Sequence, residues 1–104
     1  MPQSPQSDEA LFRQIQTGKR DAFAALVERY QRRAFAVALR LLGRRQDAED
    51  AVQQAFLRLY EARAQYQPKW RVSTWLYRIL TNTCVDKLRH RRPMLELQEK
   101  DEPL

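Results

Sequence analysis

The chain has 104 residues, a length that suits one domain. A hydrophobic fraction of 43% is enough for one core, 2 glycines against 5 prolines leave little material for tight hairpins, and no apolar run approaches the roughly 20 residues that span a bilayer. The net charge of +6 at pH 7 points to an anionic partner. Met1–Ser7 lacks the charged and apolar regions of a signal peptide, so the protein is expected to be soluble, intracellular and cytoplasmic. Cys84 is the single cysteine, which excludes an intramolecular disulfide and a cysteine-based metal site. A Cys84–His90 nucleophile pair would lie on one basic helix with no carboxylate cluster to orient it. No catalytic residue, metal site or cofactor is expected, and the chain does not read as an enzyme.

Residues 1–7 carry Pro, Gln and Ser without periodicity and are expected to be disordered. Ser7 or Asp8 can cap a short helix carrying Leu11, Phe12 and Ile15, which Gly18 can end. Asp21 can cap a long second helix, whose apolar positions Phe23, Leu26, Val27, Tyr30, Ala34, Val37, Ala38 and Leu41 follow helical spacing. Gly43 supplies its left-handed stop. A third helix starts near Asp47, with Asp47, Glu49 and Asp50 set against the positive end of its dipole. Its core stripe is Ala48, Val52, Ala55, Phe56 and Leu59, and it ends near Ala62. Gln67-Pro68-Lys69 marks a turn in the connection that follows. Ser73 or Thr74 can cap a fourth helix with core positions Leu76, Ile79, Leu80 and Thr83, and Pro93 is expected to close it. The pattern predicts an all-α fold, a compact bundle of three main helices plus a short N-terminal one, over residues 8–92. Residues 93–104, acidic and weakly periodic, are expected to begin an interdomain linker.

Two surfaces stand out. On the third helix the side opposite the core carries Asp50, Gln53, Gln54, Leu57 and Glu61, an apolar knob ringed by hydrogen-bonding groups. Protein interfaces on helices often look like this, although single exposed leucines are common. On the fourth helix Trp75, Arg78, Asn82, Val85 and Arg89 form one stripe, with Asp86 at its margin. Arg can bind phosphate or read guanine, Asn can read adenine, and an indole can stack on a base. The preceding loop interleaves Tyr66, Lys69, Trp70 and Arg71, a mixture that suits unstacked bases better than a closed duplex. Taken singly, Trp70 and Trp75 read equally well as core anchors. Charge is polarised accordingly: from Arg63 to Arg92 the basic residues are Arg63, Lys69, Arg71, Arg78, Lys87, Arg89, Arg91 and Arg92, against Asp86 as the one acid.

The segment Asp47-Ala48-Glu49-Asp50-Ala51-Val52-Gln53-Gln54-Ala55-Phe56 resembles the DAED-x-x-Q-x-x-F signature of extracytoplasmic-function (ECF) sigma factors. Downstream, Ser73-Thr74-Trp75-Leu76-Tyr77-Arg78-Ile79, with Asn82, Asp86 and Leu88-Arg89 beyond, resembles a second segment of that family in the same order. The likeness covers roughly residues 8–92 and implies the N-terminal region 2 domain. It implies that Asp47, Asp50, Gln53, Gln54 and Leu57 dock on the beta-prime clamp helices of RNA polymerase. It implies that the Tyr66–Thr74 loop (Tyr66, Lys69, Trp70, Arg71, Ser73, Thr74) holds a flipped base of the single-stranded non-template minus-ten element, and that Trp75, Arg78, Asn82, Asp86 and Arg89 contact promoter DNA along the helix. If Asp86 touches DNA, it should accept from a cytosine amino group. An anti-sigma factor is a further partner class, which the residues do not specify.

Family members continue into a second helical domain that reads the minus-thirty-five element. These residues do not encode one, and the expected reading is a domain cut after the linker begins, in preference to a natural single-domain variant. A generic helix-turn-helix duplex binder is the first rival, but its turn joins two helices by roughly three or four residues, whereas the last connection here runs to about ten and is rich in aromatics. The second rival is a protein-binding module that masks polymerase.

Overall fold

The computed structural model describes the backbone of residues 6–101 and the side chains of residues 6–91. Four α-helices follow in order: α1 (Asp8–Gln16), α2 (Arg20–Leu42), α3 (Arg45–Glu61) and α4 (Val72–Asp101). A 3-10 turn, Arg63–Gln65, opens the connection between α3 and α4.

Local chemistry explains most of the boundaries. Ser7 caps α1, its hydroxyl accepting from the Ala10 N–H at 3.0 Å. Of the segment expected to be disordered, residues 1–5 lie outside the described residues, while Gln6 accepts from the Gln14 side chain at 2.6 Å and Ser7 is the cap. Gly43 ends α2 at φ 76°, its N–H reaching the Leu39 carbonyl at 2.8 Å. Three boundaries differ from the sequence expectation. Asp21 lies inside the first turn of α2, which begins after Lys19 with no side-chain cap. Ser73 and Thr74 lie inside the first turn of α4, whose early Trp75 N–H bonds the Arg71 carbonyl at 3.0 Å. Most notably, α4 continues through Pro93 to Asp101. Proline removes one N–H and crowds the preceding turn, but Met94, Leu95, Glu96, Leu97, Gln98, Glu99 and Lys100 are strong helix formers, and they carry the helix past it.

Cross-helix contacts fix the arrangement. Phe23 meets Tyr60 at 5.0 Å and Arg45 lies over the Phe35 ring at 6.0 Å, so α2 and α3 form an antiparallel hairpin about Gly43. Asp47 pairs with Arg91 and Arg58 with Asp86, so α4 runs antiparallel to α3. Tyr30 stands 6.2 Å from Tyr77, placing α4 alongside α2. Alanines at 22, 34 and 38 of α2 and at 48, 51 and 55 of α3 are all buried, and such small side chains let helices approach closely.

The core follows the helical period. Leu11, Phe12 and Ile15 of α1, Leu26 and Tyr30 of α2, Val52, Phe56 and Leu59 of α3, and Leu76 and Leu80 of α4 are buried. Leu41, expected inside, is 42% exposed, and Leu42 is buried in its place. Over a helix this long the 3.6-residue period moves the inward position from Ala38 to Leu42, four residues on. Thr83 is buried and satisfied: its hydroxyl donates to the Ile79 carbonyl at 2.8 Å and accepts from Arg58 Nη1 at 3.1 Å.

Candidate nucleic-acid interface

The connection between α3 and α4 is tethered at several points. Gln16 of α1 donates to the Arg63 carbonyl at 2.9 Å, and the Arg63 guanidinium sits 4.2 Å from the Tyr60 ring centre. The Trp70 N–H bonds the Gln67 carbonyl at 2.9 Å, closing a turn with Pro68 at its second position, where the fixed φ of proline fits. Tyr66 is buried and donates its hydroxyl to the Trp70 carbonyl at 2.5 Å. The loop is therefore held from below as well as from its ends.

Beneath it lies an aromatic stack. Phe12 of α1 is 4.8 Å from Tyr66 and 5.4 Å from Trp75, edge-on to the indole. Tyr66 is 5.4 Å from Trp75, and the two indoles stand 6.4 Å apart at 33°. Phe12 and Tyr66 are buried behind the indoles, while Trp70 and Trp75 are only partly covered. Beside the indoles opens a cleft of about 230 Å³ lined by Lys69, Trp70, Arg71, Thr74, Trp75 and Arg78. Six residues singled out in the sequence for nucleic-acid contact thus converge on one concavity, two indoles walled by three cations.

The other expected contacts are distributed differently. Tyr66 faces inward and supports the loop; it is not available to a base. Ser73 is partly buried and does not line the cleft. Asn82 and Arg89 are exposed further along α4, in line with Arg78. The Asp86 carboxylate accepts from Arg58 Nη1 at 3.2 Å, so it is already partnered across the α3–α4 seam. His90 donates from Nδ1 to the Asp86 carbonyl at 2.7 Å, one turn back on the same helix.

On the opposite side, α3 presents Asp50, Gln53, Gln54 and Leu57 to solvent, with Leu57 55% exposed. Asp47 is set apart from them, partly buried in an ion pair with Arg91, whose guanidinium also reaches the Leu42 carbonyl at 3.3 Å. Next to Leu57 runs an apolar groove of about 350 Å³ lined by Phe23, Val27, Val52 and Phe56. Phe23 and Val27 read as core in the sequence, but they flank the α2 stripe and are only partly covered. Sequence reasoning also missed Phe12 as the support behind Trp75 and Lys87, which reaches the α3 face from α4; nothing in local spacing reveals either.

Fold and surfaces together define an all-α domain with an indole-and-cation cleft at one end of α4 and a polar face centred on a leucine on α3. The Sigma-70 region 2 family model matches residues 26–93. Similar proteins include the ECF RNA polymerase sigma factor SigW of Bacillus subtilis, 38% identical over 79% of this chain and 44% of SigW. The RNA polymerase sigma-H factor of Pseudomonas aeruginosa is 36% identical over 85% of this chain and 47% of its own length. Among solved structures, an engineered region 2 of sigmaE in complex with GTAAAA superposes with a TM-score of 0.83 at 34% identity, covering 91% of this chain and 99% of that one. CnrH in complex with the cytosolic domain of CnrY gives a TM-score of 0.71 at 33% identity, covering 90% and 62%. The chain belongs to the Sigma-70 region 2 family, and it spans less than half the length of these two curated relatives. Among the described residues, no helix is long and apolar enough to cross a membrane.

Proposed function

We propose that this domain recognises the single-stranded non-template minus-ten element of a promoter while its α3 face holds core RNA polymerase at the beta-prime clamp helices, and that it acts in the cytoplasm by differential binding, with no bond made or broken. The observation that carries this reading is the cleft between Trp70 and Trp75. Its size and its two neighbouring, partly covered indoles suit one unstacked base better than a closed duplex. Lys69, Arg71 and Arg78 at the rim suit the phosphates on either side of that base. Unstacking costs a few kcal/mol, which stacking on the indoles returns in the open strand alone. The GTAAAA complex of the related sigmaE region 2 supports the same reading. The complex of CnrH with CnrY supports a protein partner, of the anti-sigma kind, as a further ligand of this fold.

The test is binding of fluorescent oligonucleotides of one minus-ten sequence in single- and double-stranded form. Trp70→Ala is expected to weaken the single strand by about 1–3 kcal/mol and to leave the weak duplex binding nearly unchanged. Equal affinity of the parent protein for both forms would sink the captured-base reading.

A further inference from the structure

The seam between the antiparallel α3 and α4 carries an ion pair toward each end. Asp47 takes Arg91 at one, and Asp86 takes Arg58 at the other. Lys87 lies between them. It is partly buried, and among the described residues it takes part in no ion pair. It lines a shallow cleft of about 360 Å³ together with Asp50, Gln53, Gln54 and Leu57. The carboxylate in that cleft, Asp50, accepts from Gln46 on its own helix at 3.3 Å. A residue of the helix that carries the DNA stripe thus stands on the edge of the α3 face.

A partner that enters the cleft beside Leu57 also covers Lys87, because both residues line it. Covering an ammonium group strips its water, and a charge left without a counter-ion in an interface is unfavourable. We propose, resting on the reading of α3 as the polymerase-binding face, that the polymerase surface seated on Leu57 brings a carboxylate to Lys87. The Asp47–Arg91 and Arg58–Asp86 pairs set Lys87 about level with Gln54, between Asp50 and Leu57 along α3. The complementary surface therefore carries an acid beside the apolar side chain that covers Leu57.

Purified core RNA polymerase and this chain test the idea. Lys87→Glu is expected to weaken core binding on the order of tenfold at low salt and much less at high salt, with Lys87→Gln in between and Lys87→Arg close to the parent. The loss caused by Leu57→Ala should persist at high salt. Lys87→Gln should keep the parent's melting temperature, which separates the effect from misfolding. If Lys87→Glu binds core like the parent while Leu57→Ala does not, the carboxylate is wrong and the α3 interface stands. If both bind like the parent, the interface reading itself falls. A Lys87→Glu loss that is equal for an isolated single strand would place Lys87 on DNA phosphate. A loss that vanishes in an Asp50→Ala background would show that Lys87 only orders Asp50. Either of these overturns the proposal.

Discussion

The two exposed regions are built in opposite ways. The α3 face comes from one regular helix, and Asp50, Gln53, Gln54 and Leu57 point outward because the helical period puts them there. The cleft beside α4 is lined by the end of the α3–α4 loop and the first turns of α4, and α1 and the Arg63–Gln65 turn brace these from behind. A convex helix face needs only the helix; a concave site needs the rest of the fold. Substitutions under the cleft should therefore disturb folding and DNA binding together, and substitutions on the α3 face should disturb only the partner.

Phe12→Ala gives the widest separation between the regions. Phe12 is fully buried and touches both Tyr66 and Trp75, so its truncation should cost about 3–5 kcal/mol of stability and weaken single-strand binding as well. Leu57→Ala should stay within about 0.5 kcal/mol of the parent in the same denaturant titration. Comparable losses would mean that the α3 face is packed, not open.

Tyr30 sharpens the comparison on the cleft side. Its hydroxyl donates to Asp8, which also takes Arg29 at 2.7 Å, and together these tie α1, the helix that braces Trp75 through Phe12, to α2. Tyr30→Phe should cost about 1.5–3 kcal/mol at neutral pH, the usual worth of a hydrogen bond to a charged group. Burial, and then the bond to Asp8, push the Tyr30 hydroxyl up to about 12 from an ordinary value of 10.0. The folded state thus holds the proton more tightly than the unfolded state. Tyr30's contribution is complete below pH 10 and is lost as the pH rises toward 12. Tyr66 and Tyr77, both pushed up by burial, add to the loss on the same alkaline side. Thermal melts across pH 9–12 should fall less steeply for Tyr30→Phe than for the parent; identical slopes would remove Tyr30 as the titrating tie.

The difference between the regions also explains what the sequence reveals. Periodicity placed Leu57 outside and Ala48, Val52, Ala55, Phe56 and Leu59 inside, because those positions depend on one helix alone. It placed Lys69, Trp70, Arg71 and Arg78 near one another by adjacency, and all four line the cleft. It could not separate Tyr66 from Trp70. Both are aromatic and lie in one loop, and only the packing of Phe12 from the far end of the chain decides which ring turns in. The same limit hid Arg58 and Lys87, whose roles arise where α3 and α4 meet. Pro93 marks a different failure, in which a local stop signal lost to the helix propensity of the residues beyond it.

Along α4 itself, Asn82 and Arg89 divide reading from holding. The Asn82 amide both donates and accepts and is exposed one turn beyond Arg78, so it can discriminate between base edges. Asn82→Ala should reduce discrimination between a matched and a mismatched oligonucleotide by about 1–3 kcal/mol. Arg89→Ala should weaken both alike and lower the salt slope by about one unit. Binding curves at several salt concentrations distinguish the two, and equal weakening of both oligonucleotides by Asn82→Ala would make it a positioning residue.

The smallest effect lies where the two regions join. Arg58 projects from α3 and donates to Thr83 and Asp86 of α4, so it links the helix of the partner face to the helix of the DNA stripe. Both members of the ion pair are substantially exposed, with side-chain accessibilities of 39% and 45%, and the contact is worth at most about 1 kcal/mol. Asp86 cannot use the same lone pairs for Arg58 and for a cytosine amino group, which gives the two roles different signatures. If Asp86 is a tie, Arg58→Ala and Asp86→Asn should each lower stability slightly and the double variant should lose no more than Arg58→Ala alone, which also gives up the bond to Thr83. Preference for cytosine should then be unchanged in all three. The tie also withdraws a negative charge from the DNA stripe. Arg58→Ala should therefore weaken single-strand binding slightly more than Asp86→Asn does, and adding Asp86→Asn to Arg58→Ala should recover part of that loss. A selective drop in affinity for cytosine-bearing strands in Asp86→Asn, with additive effects on stability, would make Asp86 a reader and leave the two regions without this link.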